Sequence, residues 1–143
     1  SLTVADKTAD QSNSTVNGVD IDDLTVALAA NEILPFHAYL IMSAAATTTG
    51  VQMAINGPAS PAAIAVQSYS HSTTSQLITN PFIAYEVYTG LTSSPGTAQR
   101  VYEIYGRVIN GANAGTFALR FRSEVDTSAV TCHRGSWIQY FKT

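Results

Sequence analysis

Beyond its polar N-terminus, the sequence consists of short apolar segments with a period of two, separated by turn residues roughly every 8 to 12 positions. The clearest segment is TFALRFR (116–122), in which Phe117, Leu119 and Phe121 share one face of an extended chain. A period of two places alternate side chains on opposite faces of a sheet, whereas a helix needs a period of 3.6. This pattern therefore predicts a protein built of half-buried strands.

The same alternation predicts several more strands, and no stretch carries a convincing helical stripe. Glycine and proline also recur too often for helices longer than a turn or two. We therefore predict an all-β fold, an antiparallel β-sandwich that is jelly-roll-like, with a domain over residues 24–143. The further predicted strands cover residues 24–28, 33–42, 51–55, 82–88 and 100–109, with weaker candidates at 62–69 and 75–79.

Residues 1–23 form a separate predicted unit, an extended N-terminal arm. They hold few large apolar side chains and are rich in Ser, Asn and Asp, a composition that suits an extended or disordered chain. Leu2 and Val4 alternate with Thr3 as in a short strand, which could add to an exposed sheet edge. We therefore expect the arm to become ordered only on contact with another chain.

The charge content favours self-association. Charged residues make up 12% of the chain, about half of the ~25% typical of globular proteins. The arm carries a net charge of −4, including Asp22 and Asp23, and the region from Arg100 onward carries +3, including Arg120 and Arg122. Opposite charges of this kind could pair within or between subunits. We predict self-association through an assembly interface that includes Leu2, Val4, Asp22, Asp23, Arg120 and Arg122, and the resemblance described below implies that the assembly is a homotrimer.

Nucleic acid and membrane are not expected partners. The net charge is −3 and the isoelectric point is near 5.4, whereas a nucleic-acid-binding domain usually carries a basic stripe and a high isoelectric point. No run of residues approaches the ~18 apolar residues that a membrane-spanning helix needs.

The segment AVTCHRGSWIQYF (129–141) concentrates residues that can carry catalysis, but strand parity separates them. Val130 and Cys132 share one face of a strand, while His133 lies on the opposite face, so Cys132 and His133 cannot act on the same substrate atom. Ser136 lacks the second glycine and the following helix of a G-x-S-x-G nucleophile elbow. We interpret the segment as a β-hairpin and predict no catalytic residue.

Neither a metal ion nor an organic cofactor is expected. His37, His71 and His133 lie far apart without ligand spacing, and Asp20–Asp23 lacks the glycine and distal glutamate of a calcium-binding EF-hand loop. The seven tyrosines could stack on sugars or bases, but without basic neighbours they suit sheet faces and subunit contacts better. In the core we expect Phe117, Leu119 and Phe121 to pack against Trp137 or Phe36.

The order of these elements resembles a family of small β-sandwich proteins from tailed bacteriophages, over roughly residues 22–141. The resemblance rests on an acidic pair before the first strand, an Asn-Glu turn, an aromatic strand, a Gly-Pro turn, a strand ending in small-residue turns and a closing Gly-Ser hairpin. The residues that carry it are Asp22, Asp23, Ala30, Asn31, Glu32, Phe36, Gly57, Pro58, Gly106, Asn110, Gly111, Gly115, Thr116, Gly135 and Ser136.

This resemblance implies a domain similar to tumour-necrosis-factor-like jelly rolls, which usually form trimers on virion surfaces. It implies a structural rather than enzymatic role, as a head decoration (cement) protein bound to the major capsid protein, located on the capsid surface of the virion. A decoration protein is expected because a short arm, without fibre repeats, precedes the domain. The alternative is the receptor-binding tip of a tail fibre or tailspike, in which loops at 47–50 and 90–99 would recognise a host glycan.

Overall fold

A computed structural model describes residues 1–70, 78–89 and 94–143, and the described part is an antiparallel β-sandwich with no helix. The prediction of an all-β, jelly-roll-like fold is therefore confirmed. Its twelve strands are β1 (Thr3–Asp6), β2 (Gln11–Asn13), β3 (Val19–Asp20), β4 (Val26–Leu28), β5 (Ile33–Ala44), β6 (Val51–Asn56), β7 (Ala63–Ser70), β8 (Ile78–Phe82), β9 (Arg100–Ile109), β10 (Gly115–Ser123), β11 (Val130–Cys132) and β12 (Trp137–Tyr140).

The larger sheet has eight strands and is built around β5, the longest strand of the described chain. Its main path runs β1-β12-β5-β9-β7-β8, and β11 joins β5 to β2. The β5–β9 ladder covers ten residue pairs, from Ile33 with Ile109 to Met42 with Arg100. This long central ladder fixes which side chains of neighbouring strands share a face.

The smaller sheet has four strands and is built around β10. One edge of β10 pairs with β3 and β4, and the other pairs with β6 over six residues. The predicted strand at 116–122 is thus confirmed, with one more residue at each end.

The core lies between the two sheets and follows the predicted alternation. Phe117, Leu119 and Phe121 of β10 are fully buried, and the Phe117 ring centroid lies 5.0 Å from that of Phe36 on β5. The expected partner Phe36 is confirmed. Trp137 instead lies on the outer face of the larger sheet, because Ile138, its neighbour on β12, points into the core.

One predicted strand is wrong. Residues 82–88 read as an alternating strand, but β8 ends at Phe82 and the chain after it is irregular. Glu86 has a φ of 61°, in the left-handed region, which interrupts an extended chain. The backbone N–H groups of Glu86 and Thr89 donate to the carbonyls of Ile55 and Met53 on β6, so the segment lies along the smaller sheet. Most of the weaker candidate at 75–79 lies outside the described residues.

The N-terminal arm is extended, as expected, but it pairs within its own chain. β1 pairs with β12 and β2 with β11 in the larger sheet, whereas β3 pairs with β10 in the smaller one. The expectation that the arm needs another chain for order is therefore wrong for this structure. The last strands of the domain supply the backbone hydrogen-bond partners of the arm. The strands on both sides of residue 23 therefore belong to the same two sheets.

Buried polar contacts hold the arm in place. The Lys7 side chain is 3% exposed, and its Nζ donates to Gln11 Oε1 at 2.8 Å. The Asn13 amide is buried as well, and its Nδ2 donates to the carbonyl oxygens of Asn17 and Phe121 at 2.8 and 3.2 Å. Buried polar groups need such partners, so the arm is part of the domain rather than a loose extension.

Candidate functional site

The most unusual surface of the described chain is the outer face of the larger sheet. The register places Trp137 of β12 opposite Tyr39 of β5, and His37 of β5 opposite Tyr105 of β9. Tyr69 of β7 lies one diagonal step further, opposite Glu103. These five rings cross four adjacent strands, and each is half-buried in the chain. We call them the aromatic row: Tyr39, Trp137, His37, Tyr105 and Tyr69.

The rings of the aromatic row contact one another through their faces. Tyr39 and Trp137 are parallel within 3°, with centroids 5.5 Å apart, and Tyr69 and Tyr105 are parallel within 10° at 5.2 Å. His37 lies between the two pairs, edge-to-face with Trp137 at 5.4 Å and with Tyr105 at 6.2 Å. Parallel rings at this separation are offset-stacked rather than side by side. Each stacked pair therefore covers part of its own ring faces.

Polar groups on this face contact one another. His37 Nε2 lies 3.1 Å from Glu103 Oε1. The Tyr105 hydroxyl donates a hydrogen bond to Tyr69, which raises the pKa of Tyr105 to about 12 because the phenolate could no longer donate. Arg107 is exposed on the same face of β9 as Tyr105.

A groove opens beside the row at Gly106. It has a cavity volume of about 580 Å³ and apolar walls that include Leu2, Tyr140 and Phe141, with His37, Glu103 and Gln139 as polar groups. Gly106 has a φ of 142°, and a Cβ there would lie 2.1 Å from the carbonyl oxygen of Ala65. The position requires glycine, and the missing side chain leaves the groove open.

Two of the predicted assembly residues lie next to the row. Val4 pairs with Gln139 across β1 and β12, and Leu2 lines the groove. Both are exposed, Leu2 at 62% and Val4 at 52%. Their role in assembly stays a prediction, and the structure places them on the face with the largest group of half-exposed rings.

The two predicted aspartates lie away from the row. Asp22 is exposed, and its backbone N–H donates to Gln11. Asp23 Oδ2 accepts hydrogen bonds from the backbone N–H and the hydroxyl of Thr8, which hold the pKa of that carboxyl below its ordinary value.

The predicted arginines lie on the outer face of the smaller sheet and have partners in their own chain. Arg120 forms ion pairs with Asp20 at 3.1 Å and Glu86 at 2.8 Å. Arg122 donates to Gln52 and lies over the Tyr88 ring, 3.9 Å from its centroid. The register of β3 on β10 and the irregular segment after β8 bring these partners to the arginines. The role of Arg120 and Arg122 in an assembly interface stays a prediction.

The parity predicted for residues 129–141 is confirmed, but the predicted β-hairpin is wrong. β11 and β12 do not pair with each other; both pair antiparallel with β5, one after the other, and residues 133–136 interrupt the ladder between them. Cys132 is fully buried, and burial raises the pKa of its thiol to about 11, so it is a poor nucleophile. Ser136 is also buried, and its hydroxyl accepts from the Ile41 N–H and donates to the His133 carbonyl. Both hydroxyl and thiol therefore serve the packing of the turn between β11 and β12.

A serine, a histidine and an aspartate do meet on the outer face, at the end of β5. His133 Nε2 lies 2.7 Å from Ser43 Oγ, and His133 Nδ1 lies 3.5 Å from Asp10 Oδ2. The exposure is the reverse of a catalytic triad, in which the hydroxyl is open and the carboxylate shielded. Here Ser43 is 9% exposed and the Asp10 side chain 56%. The contacts connect the arm to β5 and to the segment between β11 and β12.

Among the residues that the structure describes, no group of three or more His, Cys, Asp or Glu side chains could hold a metal ion. His71 lies outside these residues. In the same part of the chain, no helix has the length and apolar character needed to cross a membrane.

The aromatic row cannot be identified from the sequence. Strand parity places His37 and Tyr39 on the face of β5 opposite Phe36, but it does not tell which residues of other strands lie beside them. The available signal was the number of aromatic residues at outward positions of several strands. A purely solvent-facing sheet would carry charged residues at those positions.

No protein-family model matches the sequence, and no curated protein matches it. Among solved structures, the chain is similar to the CBM22-1 and GH10 modules of endo-1,4-beta-D-xylanase 10B from Clostridium thermocellum, complexed with xylohexaose, at 10% identity and a TM-score of 0.32. It is also similar to the structure of infectious bursal disease virus Gt strain, at 12% identity and 0.25, and to the VP2 subviral particle of that virus, at 12% and 0.26.

These similarities cover 94% of the chain for the xylanase and 98% for each viral structure. The chain spans about a quarter (25%) of the xylanase chain and just over a third (37%) of each viral chain. At these levels of similarity, no functional argument rests on these proteins.

Proposed function

We propose that this protein is a non-enzymatic structural protein of a bacteriophage virion, a homotrimeric decoration protein that binds the major capsid protein and reinforces the head. The proposal combines the resemblance found in the sequence with one structural observation. That observation is the aromatic row, a surface of five rings that stay half-exposed in the described part of the chain.

The aromatic row supports an assembly role because exposing a group of aromatic rings to water is energetically unfavourable for a protein that acts alone. Exposed apolar patches of this kind mark interaction sites in soluble proteins. Tyrosine and tryptophan are also enriched where protein surfaces meet. A cement protein has to make two kinds of contact, one with its own copies and one with the shell, and the row supplies a surface suited to the first.

Cryo-electron microscopy of the virion that carries this protein tests the proposal. We expect threefold-symmetric density of this size on the outside of the head, and heads stripped of the protein should break at a lower temperature or osmotic stress. Re-addition of purified protein should restore the stability of stripped heads. Absence of the protein from the head contradicts the proposal.

A receptor-binding tip that recognises host glycan is the second candidate, and the groove at Gly106 favours it. Tyrosine rings and the polar groups of His37, Glu103 and Gln139 line this groove, and such a mixture suits sugar binding. The loops expected to carry recognition support this candidate less. Thr49 and Gly50 are buried, Ser94 and Gly96 bond to the body of the domain, and residues 90–93 lie outside the described chain. Density at the tail instead of the head would favour this candidate.

A further inference from the structure

We infer that the Asn17–Gly18 pair is a site of spontaneous deamidation, and that its isoaspartate product loosens the arm where it meets the smaller sheet. The inference does not depend on the proposed function. It is based on the exposure and the hydrogen bonds of the three Asn-Gly pairs in the sequence, which are Asn17–Gly18, Asn56–Gly57 and Asn110–Gly111.

Deamidation at such a pair needs no reactant other than water. The Gly18 backbone nitrogen attacks Cγ of Asn17, the Cγ–Nδ2 bond breaks, and Nδ2 leaves as ammonia together with the proton of the Gly18 nitrogen. Water then opens the cyclic imide at either carbonyl. Opening at Cγ leaves an aspartate at position 17, whereas opening at the backbone carbonyl leaves an isoaspartate, whose peptide bond runs through the side chain. Glycine favours the reaction because it has no Cβ to hinder the attacking nitrogen.

The reacting groups of the Asn17–Gly18 pair are open. Asn17 is exposed and lies in the bend between β2 and β3, outside both strands. Its side-chain amide makes no hydrogen bond to any residue that the structure describes, and neither does the Gly18 N–H. Hydrogen bonds within the described chain therefore hold neither the leaving amide nor the attacking nitrogen in place.

The Asn110–Gly111 pair is the most strongly shielded of the three. Asn110 is 1% exposed, and its Nδ2 donates to the carbonyl oxygens of Ala29 and Asn113 at 2.8 and 2.9 Å. Both bonds must break and water must enter before Nδ2 can leave, so the reaction requires local opening of the structure. We therefore expect Asn110 to react slowest.

The Asn56–Gly57 pair is intermediate. Asn56 is half-buried, and as the last residue of β6 it pairs with Ala118 of β10. The Gly57 N–H also donates to Asn56 Oδ1 at 2.8 Å. The ladder limits the backbone rotation that closure of the imide requires, and the hydrogen bond directs the Gly57 N–H to the oxygen. We therefore expect a rate between those of Asn17 and Asn110.

The isoaspartate product disturbs the join between the arm and the smaller sheet. It lengthens the backbone by one methylene group and adds a carboxylate just before β3. The Asn17 carbonyl accepts from Asn13 Nδ2 at 2.8 Å, and the Gly18 carbonyl accepts from Arg120 Nη2 at 2.8 Å. A Cβ on Gly18 would lie 1.4 Å from the Tyr88 hydroxyl, so a longer backbone has little room here. We therefore expect β3 to pair less firmly with β10.

The three pairs can be compared in one sample of the native protein. The protein is incubated at mildly alkaline pH in water labelled with oxygen-18, both folded and in urea, and its chymotryptic peptides are followed by mass spectrometry. The isotope marks every site converted during the incubation. We expect folded Asn17 to react within about threefold of its rate in urea, and folded Asn110 at least tenfold more slowly than its own rate in urea. Equal protection of Asn17 and Asn110 overturns the inference.

Hydrogen exchange of residues 13–24 tests the effect of the product. The isoaspartate form is separated from aged native protein by ion exchange, and Asn17→Gln, which forms the imide far more slowly because a larger ring is needed, is aged in parallel. We expect exchange at least fivefold faster in the isoaspartate form, and unchanged exchange in aged Asn17→Gln. Equal exchange in the isoaspartate and unmodified forms overturns the loosening of the arm. Fresh native protein serves as the reference if Asn17→Gln does not fold.

Discussion

The two outer faces of the sandwich differ in what covers them. On the smaller sheet, Arg120 and Arg122 are held by Asp20, Glu86, Gln52 and the Tyr88 ring, all from the same chain. On the larger sheet, the aromatic row is half-exposed, and its neighbours are mainly other rings. The arginine–carboxylate pairs of Arg120 thus lie on one side of the sandwich. The other side carries half-exposed rings, which suit contact with another surface.

Both outer faces are backed by one continuous core. The substitution with the largest expected effect on the free energy of unfolding tests this core. Phe117→Ala should lower the free energy of unfolding by ~3–5 kcal/mol, because it removes a fully buried ring packed against Phe36 of the other sheet. Thr116→Ala, on the exposed face of the same strand, should change it by less than ~0.5 kcal/mol. Urea unfolding measures both, and a cost below about 1 kcal/mol for Phe117→Ala would mean that β10 is inverted.

Alkaline pH tests whether the core beneath the aromatic row is sealed. Burial raises the pKa of Cys132 from 9.0 to about 11, so between these values the unfolded chain has lost a proton that the folded chain keeps. Stability should therefore fall as the pH rises from 9 to 11, by up to about 2 kcal/mol from this residue. Chemical unfolding at several pH values should show this loss in the native protein. Cys132→Ala should lose that part of the pH dependence, and identical pH profiles would show that the thiol is open to solvent.

The charged face should contribute to stability but not to association. Arg120→Ala removes ion pairs with Asp20 and Glu86 and a hydrogen bond to the Gly18 carbonyl, and we expect a cost of about 1 kcal/mol. The exposed Arg107 provides the control, since Arg107→Ala should change stability by less than about 0.5 kcal/mol. Unfolding and light scattering should be measured together. Loss of the oligomer in a folded Arg120→Ala protein would show that copies of the chain contact each other through the smaller sheet and not through the aromatic row.

The smallest effect concerns a single hydrogen bond in the aromatic row. Tyr69→Phe removes the acceptor of the Tyr105 hydroxyl, so the pKa of Tyr105 should fall from about 12 towards the ordinary value of 10.0. Tyrosine ring carbons followed by NMR during an alkaline titration report this directly. Tyr140→Phe serves as the control and should leave Tyr105 unchanged. An unaltered Tyr105 in the Tyr69→Phe protein would show that the two hydroxyls do not interact.

The sequence predicted those parts of the fold in which alternation acts within one strand. The core face of β10, the long strands β5 and β9 and the opposite orientation of Cys132 and His133 all follow from a period of two. The arm could not be predicted in this way. Its strands have only two to four residues, and the groups that hold them, such as the carbonyl of Phe121 for Asn13, are about a hundred positions away.

The aromatic row and the outer face of the smaller sheet illustrate the same difference between what a local pattern predicts and what the folded chain determines. Strand parity identifies the outward positions of β5. Which rings meet depends on the register between four strands, and no local sequence pattern contains that register. The partners of Arg120 were missed for a related reason. Glu86 lies in a segment that alternates like a strand but is bent by its left-handed backbone, so its approach to β10 is a property of the folded chain.

The pairing of β1 with β12 has a consequence for how this protein is made. Residues 3–6 are synthesised long before their partners at 137–140. The same delay applies to β2 and β3, whose partners lie in β11 and β10. Contacts of such long sequence separation form slowly. A growing chain therefore cannot complete either sheet before β10, β11 and β12 have been made, and a chain truncated before β12 exposes both the β12 side of β5 and an unpaired arm.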